Sequence, residues 1–165
     1  MTGARLRKGF STTSLEPRTG EILAFFELAT PRDMLEKARR EHARLRGHWD
    51  IDNVFNFVVT ANHIRDYVQR LGSVPGADMD AFLSDQDLKD CRDLCDKGKH
   101  VRLTHRPDPS TRIMSSHVGA GMLGEMMVGA GDTWYLETAG RAVDIDHLAD
   151  RVLKKWEHFF SLHAL

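Results

Sequence analysis

Leu88-Lys-Asp-Cys-Arg-Asp-Leu-Cys-Asp-Lys-Gly-Lys-His-Val-Arg-Leu-Thr-His105 decides how the chain is read. Leu88, Cys91, Leu94 and Cys95 recur at helical spacing and make one apolar face. Ser84 with Asp87 three residues on is a capping-box pattern, and Asp85 and Asp87 suit the positive end of a helix dipole. Gly98 is a natural stop, with Lys97 and Lys99 at the negative end. These signals predict a helix over 84–98. Beyond it, Val101, Leu103 and His105 alternate with Arg102, Thr104 and Arg106, a strand pattern closed by Pro107 and Pro109.

Upstream, Val54, Phe57, Val58, Ala61, Ile64, Val68 and Leu71 form a broad apolar stripe, which predicts a helix over 53–71. Thr30-Pro31 starts another, over 31–46, whose inner face is Leu35, Ala38, His42, Leu45 and Trp49. Its outer face is dense in Arg and Glu, the pattern of a solvated surface or of a basic ridge for RNA phosphates. Residues 1–20 carry Arg5, Arg7, Lys8 and Arg18 among small polar residues and read as a flexible basic arm. Ile22 to Leu28 reads as a short strand or a helical turn, and Ser73 to Asp78 as a loop. Downstream, Ile113 to Val118 is an extended candidate, and Trp134 to Val143 is a hairpin turning near Gly140. Ile145, Leu148, Val152, Trp156, Phe159 and His163 stripe a last helix over 145–163, capped by Asp144 or Asp146. The expected fold is mainly α: a four-helix-bundle-like single domain over 21–165, with a small β-hairpin insertion near 101–143 before the last helix.

The 165 residues suffice for one domain with a sizeable core. A net charge of −1 supplies no global field for nucleic acid or membrane, so RNA binding needs a local patch. The start lacks an apolar run of the signal-peptide kind, and no run is long enough to span a bilayer, so a cytoplasmic protein without membrane contact is expected. Cys91 and Cys95 share a helical face, which suits reduced, buried thiols.

Gly119, Gly121 and Gly124 have dinucleotide-loop spacing, but Gly129 and Gly131 interrupt the helix such a site needs. The alternative is a loop whose Met122, Met126 and Met127 make adaptable apolar contacts. Cys91, Cys95, His100 and His105 invite a zinc reading, although structural zinc ligands come in closer pairs. No cofactor and no metal is expected. Arg92, Asp96 and His100 are spaced to line one helix edge, as either a phosphodiester-binding group or an ion-pair network. His63 and Asp66, three apart, form a second candidate cluster.

The helix Phe57 to Val68, with its Thr60-Ala-Asn-His63-Ile-Arg-Asp66-Tyr pattern, and the later Arg92-Asp93…Lys99-His100 helix end resemble a group of uncharacterised bacterial proteins. More remotely, the helical layout is similar to HEPN domains. That resemblance implies a bundle, often dimeric, and in many members a metal-independent endoribonuclease of toxin–antitoxin or phage-defence systems. Arg92-Asp93…His100 carries the polar residue after Arg, with a longer spacing than the HEPN motif. By resemblance, His100 is the general base on a ribose 2′-hydroxyl, Arg92 stabilises the phosphorane, and Asp93 or Asp96 orients one of them. Lys97, Lys99 and Arg102 are then RNA contacts, and a homodimer with His100 near its interface is expected. Two alternatives stand beside this: a non-catalytic bundle that binds a cognate protein partner, and a metal-dependent hydrolase using His63, Asp66 and His100.

Overall fold

The computed structural model describes residues 25–71, 74–114 and 132–165. The basic arm 1–20, the start of the 22–28 stretch, residues 115–118 of the extended candidate and the glycine/methionine-rich segment 119–131 lie outside them. The described residues form five helices and three strands: α1 (Pro31–Gly47), α2 (Ile51–Arg70), α3 (Gly76–Leu83), α4 (Gln86–His100), β1 (Ser110–Met114), β2 (Thr133–Thr138), β3 (Arg141–Asp144) and α5 (Ile145–His163). The fold is mainly helical, with a small antiparallel sheet between α4 and α5, and the four long helices fall where the apolar stripes place them.

Local chemistry starts each element. Thr30 and Asp33 close a full capping box on α1, with Pro31 in its first turn. Asp50 caps α2 and Asp144 caps α5, each through its carboxylate. The last helix is therefore capped by the first of its two candidate aspartates.

Around α4 the structure corrects three expectations. Asp85, not Ser84, is its N-cap, accepting from the N–H groups of Asp87 and Leu88. Ser84 belongs to the preceding turn: its hydroxyl donates to the Ala81 carbonyl at 2.6 Å, because the segment read as a loop from Ser73 rises into α3 at Gly76. At the other end α4 runs through Gly98 to His100, and Val101 takes a positive φ of 63° with ψ −38°. Gly98 serves packing instead: a Cβ there would stand 2.8 Å from the ring of Phe55 on α2.

Residues 101–106 form no strand. Their alternation satisfies only side chains, and among the described residues no strand pairs with them. Asp108 curls the segment back by accepting from the Leu103 N–H at 3.1 Å and from Lys97 at 2.8 Å. The sheet begins at Ser110 and runs as a β1-β2-β3 meander. The β2–β3 hairpin turns at Ala139–Gly140, both at positive φ (48° and 75°), the conformation a two-residue turn needs. Leu136 and Val143 face each other across it and bury on the helices.

The core joins the inner faces of all five helices to this sheet. Trp156, Phe57 and Phe160 are its largest fully buried side chains, and Phe82 of α3 stacks on Phe159 at 4.3 Å. Two arginines of the charged face and one histidine of the apolar stripe tie α1 to α5: Arg46 meets Asp146 at 2.9 Å, His42 meets Asp150 at 2.7 Å, and Arg39 meets Glu157 at 2.8 Å. Arg39 and Arg46 of the charged face thus also serve a helix–helix seam, while Glu36, Lys37, Glu41 and Arg44 pair within α1 as a largely solvated face would. Among the described residues, no helix is long and apolar enough to cross a membrane.

Candidate functional site

Helices α2 and α4 meet along a face that mixes thiols, amides and charges. The Cys91 thiol lies 3.8 Å from the Val58 carbonyl, and the Asn62 amide lies 3.6 Å from the Cys95 sulfur. Both cysteines are free and buried. Burial pushes both thiols up, which makes them core residues rather than nucleophiles at neutral pH.

One turn further along this seam the two candidate clusters meet. Lys99 Nζ lies 2.9 Å from His63 Nε2. An ammonium has only hydrogens to give, so Nε2 is the acceptor and the ring proton sits on Nδ1. Burial first, and the Lys99 charge second, hold the imidazole below its ordinary 6.5 against the pull of Asp66. His63 is therefore a neutral base at pH 7. Asp66 is engaged by its neighbour Arg65 at 3.3 Å, and no hydrogen bond joins it to His63 among the described residues.

The other candidates are largely tied to each other. Arg92 donates to Asp93 at 2.8 Å. Arg106, which the sequence reading did not single out, bridges Asp93 and Asp96. Lys97 is held on Asp108 at 2.8 Å, while His100 ends α4 exposed. Asp96, His100, Arg102, Thr104, His105 and Arg106 line a cleft of about 380 Å³ at this end. Among the described residues no three His, Cys, Asp or Glu side chains come together as a metal site, so neither the Cys91/Cys95/His100/His105 set nor His63/Asp66/His100 assembles.

His63 also lines a larger cleft of about 570 Å³ between α1 and α2, with Phe25, Lys37, Thr60, Tyr67 and Arg70. Lys37 spans its wall, donating to Glu41 and to Thr60 at 2.8 Å each. Glu41 is 4% exposed, and Arg44 joins Lys37 on its Oε1 at 2.8 Å. Burial pushes this carboxyl up, but the two cations outweigh it and leave it below its ordinary value. Its second oxygen is buried without a donor, a state that costs about 1–3 kcal/mol. The Lys37–Glu41 pair was legible as an i,i+4 spacing; its burial was not, because it depends on how α2 lies across α1.

The fold and these clefts define a mainly α domain with a histidine- and lysine-bearing groove. Set against known proteins, the chain matches no family model, no curated protein and no solved structure.

Proposed function

We propose that the protein binds single-stranded RNA along the α2–α4 seam and cleaves it without a metal ion. The observation that carries this is the 2.9 Å pairing of a neutral His63 with the Lys99 ammonium at the edge of the cleft between α1 and α2. His63 Nε2 takes the proton from a ribose 2′-hydroxyl as the 2′-oxygen attacks phosphorus. Lys99 turns from the imidazole to the phosphate and stabilises the added negative charge. His100, next in sequence and exposed, protonates the departing 5′-oxygen, which leaves a 2′,3′-cyclic phosphate. Arg102 and Arg106 border the exit cleft. Arg92, already engaged by Asp93, holds the shape of the helix end in this scheme. The HEPN-like toxin or defence role and the homodimer are expectations of the resemblance, and a cognate protein partner belongs to the alternative of a non-catalytic bundle.

A defined RNA incubated with the protein in EDTA tests the reading. Cleavage to cyclic phosphate ends is expected, with His63→Ala and Lys99→Ala each slowing it by about 10²–10⁴-fold at an unchanged melting temperature. A second reading, the non-catalytic partner-binding bundle, is favoured by the ion pairs that occupy Arg92, Lys97 and Arg106. Absence of cleavage by the wild type would leave that reading standing and end the first.

A further inference from the structure

The cleft between α1 and α2 holds more chemistry than the His63 imidazole. At about 570 Å³ it has the size of a small-ligand site. Leu28, Met34, Val59, Leu71 and the Tyr67 ring make its walls largely apolar. Three charged side chains also line it, and they differ in what holds them. Lys37 is met by Glu41 at 2.8 Å, and Asp66 by Arg65 at 3.3 Å. Arg70 is exposed and makes no side-chain hydrogen bond or ion pair among the described residues. The cleft therefore sets one uncompensated positive charge beside apolar walls, which suits an anion with a flat apolar body.

We infer that this cleft holds the nucleotide on the 5′ side of the cut, its base between the apolar walls and its own 5′-phosphate on Arg70. Arg70 follows His63 by seven residues, two turns of α2 on the same face, or about 10 Å along the axis. A long helical side chain can lean toward the N-terminal turn, which brings the guanidinium nearer the imidazole than the backbone spacing. The two groups then bracket a single nucleotide, with its 5′-phosphate at one end of the sugar and its 2′-hydroxyl at the other. The guanidinium fork matches two phosphate oxygens at once. Lys99 reaches His63 from α4 and is left for the scissile phosphate. The inference deepens the RNA reading of this site, and rests on it for the identity of the anion as a nucleotide.

Calorimetric titration of the full chain with adenosine 5′-monophosphate, adenosine, ribose 5-phosphate and inorganic phosphate tests it without any cleavage step. The nucleotide should bind about tenfold or more tighter than each fragment, because it alone fills the walls and reaches Arg70. Arg70→Gln should weaken the nucleotide about tenfold or more, the loss of one charge-assisted contact, and leave adenosine unchanged. The side chain is exposed, so the melting temperature should stay where it is. Arg70→Lys, which keeps the charge, should restore most of the binding. In the cleavage assay a 5′-phosphorylated dinucleotide should show a lower KM than its unphosphorylated form. Arg70→Gln should erase that difference by raising KM rather than by lowering kcat. Adenosine, ribose 5-phosphate or phosphate binding as tightly as the nucleotide overturns the inference. So does undiminished nucleotide binding by Arg70→Gln, or no binding at millimolar concentration. Cleavage of RNA that ignores the 5′-phosphate, together with no nucleotide binding, removes this subsite and leaves the His63 reaction. Arg70-dependent nucleotide binding without any cleavage does the reverse.

Discussion

His63 is the residue on which the functional reading turns, and its titration is an independent check. Burial and then Lys99 lower it, while Asp66 works the other way. A depressed histidine binds its proton less readily in the folded chain than in the unfolded one. Its contribution to stability is therefore present above the ordinary 6.5 and lost as pH falls through the folded value. Any reaction that needs the neutral ring fails over the same acidic window. A proton NMR titration should place His63 below 6.5, and Lys99→Met should move it upward by removing the cation. An unmoved titration in that variant would show that Lys99 does not face the imidazole in solution. His42 is a useful contrast: it sits in the apolar stripe of α1, and its partner Asp150 lies 108 positions away, beyond any sequence pattern.

At the scale of elements, the stripes of 31–46, 53–71 and 145–163 were legible because three or more turns repeat the same face. The ends of α4 were not. Ser84 and Asp85 are both good caps, and the choice between them depends on α3, whose stripe is too short to see. Residues 101–106 alternate like a strand, but alternation says nothing about a partner, and Asp108 and Arg106 hold the segment elsewhere. Gly98 reads as a terminator, whereas its place is mid-turn under Phe55. A double-mutant cycle separates those roles. In a Phe55→Ala background, Gly98→Ala should stabilise the protein by about 1 kcal/mol, the helix-propensity gain. With Phe55 present the gain should shrink or reverse, because the new methyl lands 2.8 Å from the ring and the half-exposed ring must swing away. Equal effects in both backgrounds, measured by urea unfolding, would show that the two residues do not touch.

For the whole molecule, the question is what fixes a small sheet to a helical bundle. Leu136 and Val143 supply an apolar patch, and an ion pair from a half-exposed arginine to a buried carboxylate supplies the register. Asp90 of α4 is 1% exposed and receives Arg141, the first residue of β3, at 3.1 and 3.2 Å, with the Gln86 amide at 2.9 Å. An apolar contact tolerates sliding; two N–H···O contacts to a buried carboxylate do not, so Arg141 sets where the hairpin lies on α4. Neither residue stood out in the sequence, since Asp90 looks like one more acid on a charged helix and Arg141 like a turn flank. Removing the guanidinium leaves a buried carboxylate with only Gln86, and Arg141→Met should cost about 1–3 kcal/mol. For a domain of this size that lowers the melting temperature by roughly 2–4 °C per kcal/mol. Adding Asp90→Asn to Arg141→Met should recover part of the loss, because the charge that became unpaired is gone. A single variant within about 0.5 kcal/mol of wild type would match an ordinary surface substitution and show that the hairpin is held by its apolar face alone.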